Sequence, residues 1–206
     1  DDEIYGFSHT HLSGTGVSDY GDILLMPTNQ AILNNGANGE KGYKSKFSHK
    51  NEVAQPGYYK VHLEDTNIDV ELTVSKRSGI HKYEYPSSKN QILILDLEHR
   101  DVLNDSNMSI VNDKEITGFR HSKAWASNQF LFYYIKFSHP IKDSERYNKV
   151  SPTKESFEFI NPNNDPVFIK IGISAVDEKG AKQNLEKELK ILVWNLKLNF
   201  RNNLFI

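Results

Sequence analysis

The chain has 206 residues, of which 37% are hydrophobic and 25% charged, with a formal net charge of -2 and no cysteine. This is the composition of a globular protein long enough for one sizeable domain or two small ones. It excludes thiolate catalysis, disulfides and cysteine-ligated zinc, and the charge offers no broad basic surface for nucleic acid. No apolar run approaches the roughly 18 residues that a membrane-spanning helix needs.

The first distinctive stretch is residues 5–27, here called the glycine-rich segment. Its front half contains Gly14, Gly16 and Gly21 and predicts a loop, because glycine adopts backbone angles that other residues avoid. Its end, from Ile23 to Met26, is a continuous apolar run that predicts a short buried strand. The segment is therefore expected to be a loop anchored by one strand.

Two imidazoles, His9 and His11, lie in the front half of this segment. In an extended backbone, residues two apart point to the same face, so both rings are expected on one side. Imidazole is a common metal ligand, but no third ligand has a convincing spacing. Contact with a ligand or partner and a purely structural role are the two alternatives.

After an Asn- and Gly-rich loop, a series of short apolar or alternating stretches predicts β-strands. The expected strands are 58–63, 68–74, 80–85, 92–95, 109–111, 116–120, 130–137, 157–160 and 167–173. The stretch Asn104 to Asn107 is polar and predicts a turn. The stretch 130–137 carries large apolar side chains on both faces, so we expect it to be a central strand.

One helix is expected from about Ser174 to Lys190, where Ala181, Leu185 and Leu189 recur every fourth residue. Many short strands followed by one helix predict an all-β fold, namely an antiparallel β-sandwich with one C-terminal helix.

This order divides the chain into a β-sandwich domain over residues 1–175, a connecting helix over 176–190 and a tail over 191–206. The tail is apolar and basic and contains no acidic residue.

The run Gly6-Phe7-Ser8-His9-Thr10-His11-Leu12-Ser13-Gly14-Thr15-Gly16, followed by Asp19 to Pro27, resembles the signature of the N-terminal domain of glycoside hydrolase family 92. That family consists of calcium-dependent, exo-acting α-mannosidases. The resemblance continues in later stretches and ends near Glu188. These stretches are residues 56–59, 71–73, 95–101 and 118–126, and 172–176 leading into 181–186.

The resemblance implies a non-catalytic domain that helps to form the sugar pocket and docks an α-helical catalytic domain. In the family, that second domain supplies the two carboxyl groups of inverting hydrolysis and the calcium ligands. We therefore assign no catalytic residue and no metal ligand here, and expect the chain alone to be inactive. The resemblance also implies earlier strands before the signature, α-mannoside glycans (including α-1,2-linked ones) as ligands, and a secreted or periplasmic bacterial location. The net charge and the absence of a long apolar run predict no nucleic-acid and no membrane partner.

The resemblance places the loop of the glycine-rich segment toward the interface where the sugar pocket forms, so His9, His11 and Ser13 are candidate substrate-binding residues. Trp125 with nearby Arg120 forms a second candidate surface, since an aromatic face stacks on a pyranose and a cation donates to its hydroxyls. The alternative for Trp125 is an anchor in the core. The acidic residues near strand ends are expected to be structural; they are Asp19, Asp22, Asp96, Glu98 and Asp101.

Two further functions stay open. One alternative is a stand-alone carbohydrate-binding module. The other is a truncated remnant whose exposed apolar face drives self-association. A serine hydrolase is not indicated, because Ser13-Gly14-Thr15-Gly16 is not a nucleophile elbow.

Overall fold

The structure is a computed structural model that describes residues 2–12, 16, 19–142 and 150–189. The predicted tail over 191–206 and the candidate residue Ser13 lie outside the described residues. Among the residues that are described, no helix is long and apolar enough to cross a membrane.

Thirteen strands and one α-helix form within the described residues, besides one turn of 3-10 helix at His49–Asn51. They are β1 Glu3–Ile4, β2 Leu24–Thr28, β3 Ser45–Lys46, β4 Val53–Gln55, β5 Tyr58–Leu63, β6 Ile68–Val74, β7 Ser78–Glu84, β8 Ile92–Asp96, β9 Val102–Asn112, β10 Glu115–Lys123, β11 Gln129–Phe137, β12 Lys154–Glu158, β13 Val167–Ser174 and α1 Glu178–Glu188.

Eight of these strands form one antiparallel sheet in the order β4-β5-β6-β7-β13-β11-β10-β9, and β12-β8-β2 form a second sheet. Buried side chains of both sheets belong to one core, and the Phe137 and Phe157 rings meet across it at 6.1 Å. The prediction of a mostly β fold with antiparallel sheets and one C-terminal helix is confirmed. The expectation of a central strand at 130–137 is also confirmed, because β11 lies between β13 and β10.

Strand β9 is longer than predicted, because residues 104–107 continue the strand instead of forming a turn. These polar residues lie on the edge strand, where Asp105, Ser106 and Asn107 pair with β10 on one side only and Asn104 falls at a register shift. Pairing with a neighbour satisfies their backbone groups, so tertiary context overrides a weak local preference against strand. Polar side chains also suit an edge that has no second neighbour.

Helix α1 packs on the outer face of the large sheet, where Ala181 and Leu185 join a second apolar cluster with Tyr134. It starts later than predicted, since β13 extends through Ser174 and the Asp177 side chain caps the helix. Gly172 lets the helix approach closely, because a Cβ atom there would lie 2.3 Å from the Ala181 carbonyl oxygen.

The strand registers bring two turns to the same end of the large sheet. Ser78 at the start of β7 pairs with Gly172, and Ser174 at the end of β13 pairs with Phe132 near the start of β11. The β6–β7 turn (residues 75–77) and the β10–β11 turn (residues 124–128) therefore lie at one end, which we call the hairpin end.

Candidate functional site

The glycine-rich segment folds back on itself and is closed at its base by backbone hydrogen bonds. Phe7 and Leu25 exchange two bonds of 2.9 and 3.0 Å, and the Gly21 amide donates to the Thr10 carbonyl at 2.8 Å. Thr10 and Gly21 are therefore held next to each other at a closed base. The predicted buried strand at the end of the segment is confirmed as β2, which is fully buried.

Unusual backbone angles shape this base. Gly21 has a φ of +97°, and a Cβ atom there would lie 2.6 Å from Cδ of Arg100. Ile23 has a φ of +55° although it is β-branched. Such a conformation costs of order 1–3 kcal/mol and persists only where the surroundings impose it. The surrounding contacts thus hold Ile23 in a backbone conformation that a β-branched residue disfavours.

Arg120 lies beneath the segment and not on the surface, so the expectation that it faces a ligand beside Trp125 is wrong. Its side chain is about 1% exposed. It forms buried ion pairs with Asp22 and Asp101. Its Nε donates to the Leu97 carbonyl at 2.7 Å and its Nη2 to the His99 carbonyl at 2.9 Å. With these bonds satisfied, the guanidinium ties the segment to β10 and to the loop after β8.

Asp19 connects the same segment to the β10–β11 turn. It is buried, and its carboxylate accepts hydrogen bonds from the Trp125 amide at 3.2 Å and the Ala126 amide at 2.8 Å. The Gln129 side chain donates a third bond at 3.2 Å. The backbone of the turn is thereby fixed, whereas the Trp125 side chain is 73% exposed. The alternative in which Trp125 anchors the core is wrong.

The two histidines of the segment differ in burial. His9 is half-buried against β7, whereas His11 is exposed. Residues 8–12 form no strand, so the two-residue alternation of side chains, which is the basis for expecting both rings on one side, does not apply to them.

His9 forms a chain of hydrogen bonds with two residues of β7. Its Nδ1 lies 2.6 Å from the Ile23 carbonyl oxygen, and its Nε2 lies 2.9 Å from Nε2 of His81. Nδ1 of His81 in turn lies 2.6 Å from the Tyr83 hydroxyl. Burial lowers the pKa of His9 to about 4 and holds the pKa of His81 well below its usual range. Both rings are therefore neutral at pH 7.

A cavity of about 230 Å³ adjoins the two histidines. Its walls are mostly apolar, and two cations of the β6–β7 turn, Lys76 and Arg77, line it. The walls include Phe7, Leu72, Val74, Ile171 and Ile173. The cavity opens beside the glycine-rich segment at the hairpin end.

The other acidic residues near strand ends also have structural contacts. Asp96 accepts from the Tyr43 hydroxyl at 2.5 Å and pairs with Lys154 at 3.0 Å. Glu98 shares that lysine at 3.1 Å. Throughout the described part of the chain, no group of three or more His, Cys, Asp or Glu side chains is arranged to hold a metal ion.

Sequence reasoning missed His81 and Tyr83 as partners of the segment. The shared face of His81, Tyr83 and Tyr85 was visible as a two-residue alternation, but nothing in the alternation indicates that His9 meets this face from a distance of 72 positions. The role of Asp19 was missed for the same reason, since its partners lie more than 100 positions away.

Comparison with known proteins gives a consistent result. The glycosyl hydrolase family 92 N-terminal domain matches residues 1–174. The solved family GH92 α-mannosidase BT3965 of Bacteroides thetaiotaomicron is 32% identical, with a TM-score of 0.82 over 94% of this chain and 29% of its own. A second structure of that protein, in complex with mannoimidazole, is 31% identical with a TM-score of 0.80 over 94% of this chain and 28% of its own.

A more distant likeness concerns the fold alone. The family GH92 inverting mannosidase BT2199 of Bacteroides thetaiotaomicron VPI-5482 is 19% identical, with a TM-score of 0.75 over 93% of this chain and 27% of its own. No curated protein sequence matches. The chain spans less than a third of the length of these solved proteins. By its sequence match and its fold, the chain belongs to the glycosyl hydrolase family 92 N-terminal domain family.

Proposed function

We propose that this chain is the non-catalytic N-terminal domain of a longer exo-α-mannosidase, and that its hairpin end helps to form the mannose pocket. The observation that carries the proposal is the joining of the glycine-rich segment to the Trp125 turn by Asp19. The longer relative BT3965 is an α-mannosidase, and its complex with mannoimidazole supports a mannose-like ligand.

The hairpin end has the surface that a pocket wall or a domain interface needs. Nine large hydrophobic side chains are exposed among the described residues, and six of them lie at or beside this end. The six are Tyr20, Val74, Val102, Trp125, Phe130 and Val176. A cluster of exposed apolar side chains at one end of a domain is typical of a contact surface. This clustering supports the docking of a further domain here.

The proposed roles of the candidate residues differ. The exposed Trp125 side chain can stack on the C–H face of a pyranose ring, and the exposed imidazole of His11 can bond a hydroxyl group. His9 and Arg120 have their polar atoms engaged within the protein. We therefore propose that they shape the pocket wall without touching the sugar.

Hydrolysis itself is proposed to depend on the rest of the longer protein. Inversion needs a carboxylic acid and a carboxylate roughly 6.5–9.5 Å apart on opposite sides of the scissile bond. The carboxylates of Asp19, Asp22 and Asp101 are buried in internal contacts, so they are not accessible to act as the acid or the base on a bound sugar. Calcium ligands, like the catalytic pair, would lie outside the described residues, in a secreted or periplasmic enzyme.

The test is calorimetric titration of this chain with α-mannobiose, with and without calcium, while product formation is followed in the same samples. We expect saturable binding and no hydrolysis. Trp125→Ala should weaken binding about fivefold or more, since an aromatic contact contributes ~1 kcal/mol. Ile160→Ala is the matched control, because it removes an exposed apolar side chain beside Pro140, beyond the far end of β11.

The outcomes separate the alternatives. Equal affinities for Trp125→Ala and Ile160→Ala would contradict the placement of the pocket wall. Hydrolysis of mannosides by the chain alone would contradict a non-catalytic role. Concentration-dependent self-association without any mannoside binding would favour a remnant domain over a pocket wall.

A further inference from the structure

We infer that His81 is a positioning residue that holds the glycine-rich segment in place through His9, and that Tyr83 donates to the remaining ring nitrogen of His81. The inference rests on the proposed function only in that this segment borders the sugar pocket. His81 and Tyr83 belong to β7, whereas His9 and Ile23 belong to the segment. The four residues form one directional chain of hydrogen bonds.

The donor and acceptor roles in this series of hydrogen bonds are fixed by the Ile23 carbonyl group. A carbonyl oxygen only accepts hydrogen bonds, so the 2.6 Å contact requires a proton on Nδ1 of His9. In a neutral imidazole the other nitrogen then carries a lone pair. Nε2 of His9 is consequently an acceptor that faces β7.

The second bond sets the tautomer of His81. The two Nε2 atoms are 2.9 Å apart, and the two rings are nearly parallel, with their planes at 19° and their centroids 4.9 Å apart. One proton is required between these atoms, and His9 does not supply it. Nε2 of His81 therefore carries the proton and donates it to His9, which leaves Nδ1 of His81 as an acceptor.

Tyr83 completes the chain. Its hydroxyl group is buried and lies 2.6 Å from Nδ1 of His81, where it donates to the remaining lone pair. The side chains that line the cavity beside the two rings favour the neutral form of both imidazoles. The described residues that line this cavity include apolar side chains, two cations (Lys76 and Arg77) and the hydroxyl groups of Ser8, Thr73, Ser75 and Ser78, but no carboxylate. Charging either ring is therefore unfavourable at this position.

The consequence for the segment follows from its strained backbone. Ile23 has a positive φ, and its carbonyl group is the terminal acceptor of the chain. These hydrogen bonds thus connect β7 to Ile23, a β-branched residue that is held at a positive φ. Without the donor on His81, the His9 ring loses its contact with the sheet, and the segment opens more often.

Two substitutions at one position separate positioning from simple packing. His81→Gln keeps an N–H donor toward His9 and an acceptor toward Tyr83, whereas His81→Leu removes both. We expect His81→Leu to accelerate hydrogen exchange of the His9 and Gly21 amides at least about fivefold, as for the loss of one hydrogen bond. His81→Gln should restore exchange to within about twofold of the parent.

The control is His62→Leu, which removes a partly exposed histidine that pairs with Asp69 across β5 and β6. It should leave the exchange of the segment unchanged. The amides of β11 serve as an internal reference for global unfolding in every variant. Nitrogen-15 spectra of the imidazoles give an independent readout, with a proton expected on Nδ1 of His9 and on Nε2 of His81 at pH 7.

Equal exchange in His81→Leu and His81→Gln, or a proton on Nε2 of His9 in the parent, would overturn the inference. None of these measurements needs a sugar. A failure of mannoside binding would therefore count against the proposed function alone, whereas a failed rescue by glutamine would count against the positioning role alone.

Discussion

The carboxylate of Asp19 accepts a hydrogen bond from the backbone amide of Trp125, a residue 106 positions later in the chain. The contact joins the glycine-rich segment to the β10–β11 turn and leaves the indole ring exposed. The segment that carries His9 and His11 is thus joined directly to the turn that carries Trp125.

Asp19→Ala should loosen the β10–β11 turn, because three donors lose a buried acceptor. Leaving buried donors unsatisfied costs about 1–3 kcal/mol. We expect faster hydrogen exchange at the Ala126 amide and weaker mannoside binding than in the parent. Asp105→Ala removes an exposed carboxylate from β9 and serves as the control. Parent-like exchange in Asp19→Ala would show that the turn is rigid without this carboxylate.

Arg120→Leu should destabilise the whole domain, because Asp22 and Asp101 would remain buried without their cation. Breaking a buried pair by removing one partner typically costs about 3–5 kcal/mol. Chemical denaturation measures the loss. Arg77→Leu is the matched control, since Arg77 is largely exposed and its pair with Glu188 should contribute no more than about 1 kcal/mol. Similar losses in both variants would contradict the central role of Arg120.

Gly172→Ala should weaken the packing of α1, because the new Cβ would lie 2.3 Å from the Ala181 carbonyl oxygen and 2.6 Å from Cβ of Leu185. Overpacking of this kind costs about 1–3 kcal/mol. Thermal or chemical denaturation should show the loss. Gly79→Ala is the control, as its nearest neighbours would lie at ordinary contact distances of 3.6–3.7 Å. A neutral Gly172→Ala would mean that the helix shifts without penalty.

Acid should destabilise the domain partly through the two neutral histidines. The folded-state pKa of His9 is lowered to about 4 and that of His81 is also lowered, both because burial disfavours the cation. Groups with a lowered pKa contribute their full stability above the unfolded value of ~6.5, and this contribution falls as the pH drops from there toward 4.

Denaturation midpoints of the parent and of His81→Gln, measured between pH 7.5 and 4.5, test this expectation. The parent should lose more stability over this window than the variant, which has one buried imidazole fewer. Parallel pH profiles would indicate that carboxylates elsewhere account for the whole acid sensitivity.

Much of the fold was predictable from local pattern. The alternation in β6 and the apolar face of α1 reflect which side chains each element buries, and that information is local. The family likewise followed from one ungapped run near the start of the chain. The edge strand β9 was partly missed, since its polar residues extend only because β10 pairs with them.

The site depended on contacts that local pattern does not contain. Sequence alone determined that a loop carrying His9 precedes a buried strand, and that Trp125 follows a strand. Only the tertiary structure decided that Arg120 is buried between two carboxylates, that His81 meets His9, and that Asp19 fixes the Trp125 turn. The physical reason is that burial and hydrogen-bond partners are set by residues distant in sequence, whereas periodicity reports only the neighbours along one strand or helix.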